Sequence, residues 1–134
     1  MTTNYTNTFI KVAQDSALAS PKVPTPREKP SIAQLQYELL IDAPYTMTSD
    51  DLLFEVHAIR NGLGDEERET AREEFFSRSQ ACLRASPLPK THGWGIHHDG
   101  SSRIALVPIG SEEYRHLSED TALTQVHAMR SKRA

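Results

Sequence analysis

The sequence predicts an α+β fold in a single domain, with helices packed on a small antiparallel sheet. Three observations predict it. Apolar residues recur at helical spacing between Ser31 and Arg78. Aromatic and β-branched residues dominate positions 5–13. Around Trp94 the residues alternate at the strand period, reach the turn Asp99-Gly100-Ser101-Ser102, and continue into an apolar run over 103–109.

Residues 5–13 form the expected first strand, with Tyr5, Asn7, Phe9, Lys11 and Ala13 on one side and Thr6, Thr8, Ile10 and Val12 on the other. Four of the eight prolines, Pro21, Pro24, Pro26 and Pro30, fall within 19–31. Proline lacks an N–H and fixes φ, so this stretch is a loop. Ser31 caps a helix, with Gln34 completing a capping box and Ile32, Leu35, Leu39 and Leu40 as the apolar stripe; Pro44 limits it. A second helix starts at Thr48 or Ser49. Asp50 and Asp51 sit at its positive dipole end, Leu52, Val56, Ile59 and Leu63 form its core stripe, and Gly62 or Gly64 ends it. A third begins near Asp65, buries Ala71, Phe75 and Phe76, and allows a Glu74–Arg78 pair.

Pro87 and Pro89 argue against a helix there. A hairpin follows over residues 94–109. A loop of Asp99 to Ser101 sets Ile96 opposite Ile104 and Trp94 opposite Leu106, whereas a tighter Asp-Gly turn sets Ile96 opposite Arg103 and turns the apolar face outward. Ser111 caps a short helix through Leu117. In residues 122–130 the spacing of Leu123, Val126 and Met129 leans helical, with a strand as the alternative.

At 134 residues the chain is long enough for one self-sufficient core. A formal net charge of -3 argues against a dedicated nucleic-acid binder. The single cysteine cannot close an intramolecular disulfide. No apolar run has bilayer length, and the first residues lack a basic segment followed by an apolar one. The expectation is a soluble, cytoplasmic protein with neither membrane nor nucleic-acid partners. Phosphate-loop, dinucleotide and nucleophile-elbow motifs are lacking, and no cofactor is expected. The basic end, from Arg130 through Lys132 and Arg133, reads as a frayed, solvated terminus.

The rare residues concentrate in 79–99: Cys82, Trp94, and the histidines His92, His97 and His98, interspersed with Arg84, Ser86 and Lys90. His97 and His98 face opposite sides of a strand, and His92 lies ~20 Å from His98 along an extended chain, so no local metal site is expected. Two functional readings remain. One is a binding domain whose pocket near the Trp94 hairpin is lined by Arg84, Lys90, Trp94, His97 and Arg130, donors suited to a small anion or a partner's acidic segment. Gly93 and Gly95 either admit a ligand to the backbone there or make room for the indole. The other is a cysteine-dependent enzyme or redox sensor, with Cys82 activated by His92 or His97. Its rival is Cys82 as a small buried hydrophobe. Convergence of Cys82, Arg84, His97 and Arg130 on one cleft is the geometry that discriminates.

Several segments together resemble a family of small microbial proteins described only as a domain of unknown function. They are Asn7-Thr8-Phe9-Ile10, Gln36-Tyr37-Glu38-Leu39-Leu40, Pro44-Tyr45, Asp50-Asp51-Leu52-Leu53-Phe54, Cys82-Leu83-Arg84-Ala85-Ser86-Pro87-Leu88, Gly93-Trp94-Gly95-Ile96-His97 and Ala128-Met129-Arg130-Ser131-Lys132-Arg133. The resemblance spans nearly the whole chain and implies one domain. It makes the basic C-terminal segment part of the pattern, and it brings no activity, substrate or cofactor.

Overall fold

The computed structural model describes residues 2–131. Strand β1 (Thr8–Lys11) is followed by helices α1 (Ile32–Leu40), α2 (Ser49–Arg60) and α3 (Asp65–Phe76). A 3-10 turn (Leu83–Ala85) leads to the one-turn helix α4 (Pro87–Thr91), the hairpin β2 (Trp94–His98) and β3 (Ile104–Pro108), helix α5 (Glu112–Glu119) and strand β4 (Thr124–His127). The fold is α+β, with a sheet of order β3-β2-β1-β4. β1 pairs antiparallel with β2, and β2 with β3, as the sequence suggested. β4 adds a parallel edge, so the sheet is mixed.

β1 is interior to the sheet and covered on both faces, so Phe9 and Ile10 are both fully buried. Ile10, Ile96 and Ile104 face α1 and α2, meeting Leu35, Leu40, Leu52 and Val56 in the main core. On the other face Phe9 meets Tyr114 of α5 edge to face at 5.0 Å. A Cβ on Gly95 would lie 2.8 Å from the Phe9 ring and 2.9 Å from Tyr114. Gly95 therefore makes room for that aromatic pair, not for the indole of Trp94.

Capping explains most helix boundaries. Thr48 and Asp51 form a reciprocal box, with bonds of 3.1 and 3.0 Å. Burial raises the Asp51 pKa, but hydrogen bonds from Thr48 and Arg72 overcome this and hold it below the usual carboxylate range. Ser31 accepts from the Gln34 N–H, but the Gln34 side chain bonds Arg27 N and Glu38 instead of closing a box. Gly62, at φ 60°, ends α2 in a Schellman motif, with Leu63 N–H donating to Ala58 O and Gly62 N–H to Ile59 O. α3 buries no residue fully. It is held to α2 by Arg68–Glu55 and Arg72–Asp51 pairs and by ring contacts of Phe75 with Phe54 and His57. Phe75 and Phe76 are half-buried, short of the core role expected of them.

Three further expectations are corrected. Pro87 and Pro89 lie inside α4, where Ser86 caps the first turn. First-turn N–H groups have no helical partner, so proline is tolerated there. The hairpin pairs Ile96 with Leu106 and Trp94 with Pro108, two residues beyond the expected register. The Asp99 carboxylate accepts the N–H groups of Ser101 and Arg103, and Ser102 turns left-handed at φ 65°, which lengthens the loop. A shift of two preserves the buried face. Residues 122–130 contain strand β4 rather than a helix, because Thr124 N–H to Asn7 O and Ala128 N–H to Lys11 O extend a ladder along β1. Lys132 and Arg133 lie outside the described residues.

Candidate functional site

The structure divides the residues that the sequence grouped: Arg84, Lys90 and Arg130 lie along the C-terminal segment, and Trp94 and His97 are held elsewhere. Trp94 and His97 are three apart on β2, so they point to opposite faces. Trp94 is packed among Ala33, Leu88 and Tyr37, and its Nε1–H donates to Lys22 O at 2.9 Å. His97 lies on the α5 side, its Nδ1 2.7 Å from the Tyr45 hydroxyl. Burial lowers the His97 pKa, offset in part by Asp99 and Glu113. Arg84 donates from Nε to His127 O at 2.6 Å and accepts the Met129 N–H at its carbonyl. Arg130 reaches Gln14 at 3.3 Å, and the Lys90 carbonyl accepts from Ser131. Arg84 and Arg130 thus tie down the C-terminal segment. Residue 131 is also bonded, through its N–H to Asp15, so this segment is docked rather than frayed as far as it is described.

Cys82 is half-buried and accepts a hydrogen bond from Tyr5 Oη at 3.2 Å. Burial and this bond raise the Tyr5 pKa to about 12, with Arg84 opposing. The Tyr5 ring packs against His98, not His97, with centroids 5.3 Å apart. No hydrogen bond links Cys82 to a histidine among the described residues, and no group of three His, Cys, Asp or Glu side chains is placed to hold a metal.

A different site is built around the proline-rich loop. Lys22 N–H donates to His92 O at 2.8 Å, and the Trp94 indole holds Lys22 O from the other side. Gly93, at φ 77°, lets Ser20 O approach to 3.1 Å of the position a Cβ would take. Farther along, Arg27 N–H is held by Gln34 of α1. These anchors arch the loop over α1 and α4 and leave an open cleft of about 640 Å³. Arg27, Lys29, the C-terminal residue Arg60 of α2, and His92 line it, with Pro24, Pro30 and Pro87 as rigid walls. No carboxylate lines the cleft, and among the described residues Arg27, Lys29 and Arg60 form no ion pair. His92 Nδ1 is engaged by Pro87 O and the Thr91 hydroxyl, and among the described residues Nε2 has no hydrogen-bond partner. Three permanent cations without counter-ions on a concave wall can take up an anion.

Of this set the sequence singled out only His92, as one of the rare residues of 79–99 and a candidate to activate Cys82. Arg27 and Lys29 hide in a loop whose prolines signal only irregular backbone, and Arg60 is brought to them by tertiary packing. The charged run Arg27-Glu28-Lys29 between Pro26 and Pro30 was the available signal.

Fold and cleft together define a small α+β domain with a cationic recess walled by a pinned proline-rich loop. The chain belongs to a family of unknown function (DUF6157), whose model matches residues 1–134. No curated protein and no solved structure matches it. Among the described residues no helix is long and apolar enough to cross a membrane.

Proposed function

We propose that this protein is a small-ligand-binding domain whose anion-accepting site is the cleft between the proline-rich loop and α1, beside the Trp94 hairpin. One observation carries the reading: Arg27, Lys29 and Arg60 surround a recess that holds no carboxylate, on a chain whose net charge is -3. A concentration of unpaired cations on an acidic protein favours a negatively charged ligand, or the acidic segment of a partner, over the bulk surface. Trp94 serves the site indirectly, by holding the loop that forms its wall. The single cysteine is consistent with a cytoplasmic setting.

The test is thermal stabilisation by a panel of phosphates, nucleotides and carboxylates, compared with the double variant Lys29→Ala/Arg60→Ala. Both side chains are exposed, so the variant should fold. A shift that shrinks with added salt and is lost in the variant supports the site. No shift with any anion overturns it.

The cysteine-dependent reading has less support. Cys82 is paired with the Tyr5 hydroxyl, and a general base at the sulfur is what that chemistry needs. It regains weight if Cys82 alkylates rapidly in the folded protein well below the ordinary thiol range of ~8.5.

A further inference from the structure

The cationic cleft does not end at Arg60. A second concavity of about 440 Å³ adjoins it and shares Lys29, Ile32 and Arg60. A third, of about 250 Å³, shares Ile32, Gln36 and Leu53 with the second and ends at Ala81, Cys82 and Ala85. All three meet at Ile32. The chemistry changes along this path. The first stretch is basic, whereas no charged side chain lines the last. The Ser86 hydroxyl in the lining of the slot is satisfied internally: it donates to Gln36 Oε1 at 2.5 Å and accepts from Leu88 N–H at 3.2 Å.

Ile32 is the unexpected side chain. It belongs to the apolar stripe of α1, yet it stays 40% exposed at the junction of the three concavities. Leu53, on the facing helix α2, is only half-buried there. A purely ionic ligand would leave this apolar path empty, and an acidic peptide would have no use for a slot lined by Leu53 and Ala85. An alkyl chain attached to an anionic head uses both ends.

We infer that the occupant is an amphipathic anion, with a phosphate or carboxylate head at Arg27, Lys29 and Arg60 and an alkyl chain that passes Ile32 and lies along Leu53 toward Cys82. The inference rests on the anion-binding reading above and names the class of ligand that fits it.

The experiment compares inorganic phosphate with octyl phosphate, below its micellar range, by calorimetric titration of the full chain. In parallel, the rate of Cys82 alkylation by N-ethylmaleimide is followed in the presence of each. Burial of only two methylenes is worth roughly tenfold in affinity. Octyl phosphate should therefore bind at least tenfold more tightly than phosphate, and it alone should slow the alkylation. Arg60→Ala should weaken both ligands. Ala81→Trp, at an exposed position that lines only the third concavity, should weaken octyl phosphate and leave phosphate unchanged; intact phosphate binding then also reports that the variant folds. Equal affinities, or alkylation that octyl phosphate does not slow, overturn the amphipathic inference and leave the anion reading standing. No binding of either overturns both. Co-sedimentation with anionic phospholipid vesicles without octyl phosphate binding would reassign the surface to a membrane headgroup and likewise overturn it.

Discussion

His98 should make folding stability depend on pH between about 6.5 and 4. Its ring is fully buried on the helix-facing side of β2, against the edge of Tyr5, and neither ring nitrogen has a hydrogen-bond partner among the described residues. Burial disfavours the imidazolium and lowers the pKa to about 4 from the ordinary 6.5; the Ile96 backbone, short of hydrogen-bond geometry, and Asp99 recover only part of that cost. The unfolded chain thus takes up a proton near pH 6.5 that the folded chain refuses until about pH 4. The full contribution is present above pH 6.5, is lost progressively on the way down to about 4, and changes no further below that. A difference of 6.5 against about 4, at roughly 1.4 kcal/mol per unit, amounts to about 3 kcal/mol. Urea unfolding at several pH values, in the native chain and in His98→Leu, isolates this term, since His97 and the carboxylates titrate in both. Leu removes two unpaired nitrogens and keeps an apolar side chain in place, so it should be near-neutral or stabilising at neutral pH. On acidification to about pH 4 the native chain should lose about 3 kcal/mol more than the variant. Parallel stability curves, or a His98 ring resonance titrating near 6.5 in the folded protein, would refute the reasoning.

Gly95→Ala should destabilise by about 1 to 3 kcal/mol, because the Phe9 and Tyr114 rings must move from a Cβ they would meet at 2.8 and 2.9 Å. Denaturant melts check this, and adding Tyr114→Ala should recover part of the loss. Trp94→Phe removes the bond to Lys22 O, worth about 1 kcal/mol. It should also speed limited proteolysis within residues 19–31 and weaken anion binding with no charge altered. Arg84→Ala should cost about 1 kcal/mol through the lost bond to His127 O, read by thermal melting. It should leave the phosphate response unchanged, which is the opposite of Arg60→Ala.

Much of the fold is visible in the sequence because its signals are local. Ser31, Thr48 and Ser111 each cap the helix they precede, and Gly62 ends α2. The hairpin face follows from alternation alone, which survives an error of two in register. What escaped depends on distant partners. Residues 122–130 are a strand because the edge of β1 offers a ladder, and three-residue apolar spacing cannot reveal that edge. α4 escaped because the proline rule applies to helix interiors, and its prolines occupy only the first turn. The candidate site was harder still. The rare residues clustered near Trp94 pointed to a different pocket, and of that stretch only Pro87 and His92 line the cleft. The cations of the cleft were not readable, because Arg27, Lys29 and Arg60 come from a loop and a helix end with no shared periodicity. Ile32 carried a subtler signal: helical spacing assigns it to the core, and only the structure leaves it exposed at the rim.

The place of β1 in the sheet has a consequence for how the protein is made. The first strand of the chain is an interior one, and its two neighbours are built from residues 94–98 and 124–127. Neither flank can form until residues 94–98 have left the ribosome. Helices α1 and α2, which cover one face of the sheet, emerge before the β2–β3 hairpin they rest on, with only β1 to dock against. Folding should therefore be governed by long-range closure, slower than helix content alone implies. During that interval Phe9 and Ile10 form an apolar strand with both edges open, the segment that a ribosome-associated chaperone would be expected to hold.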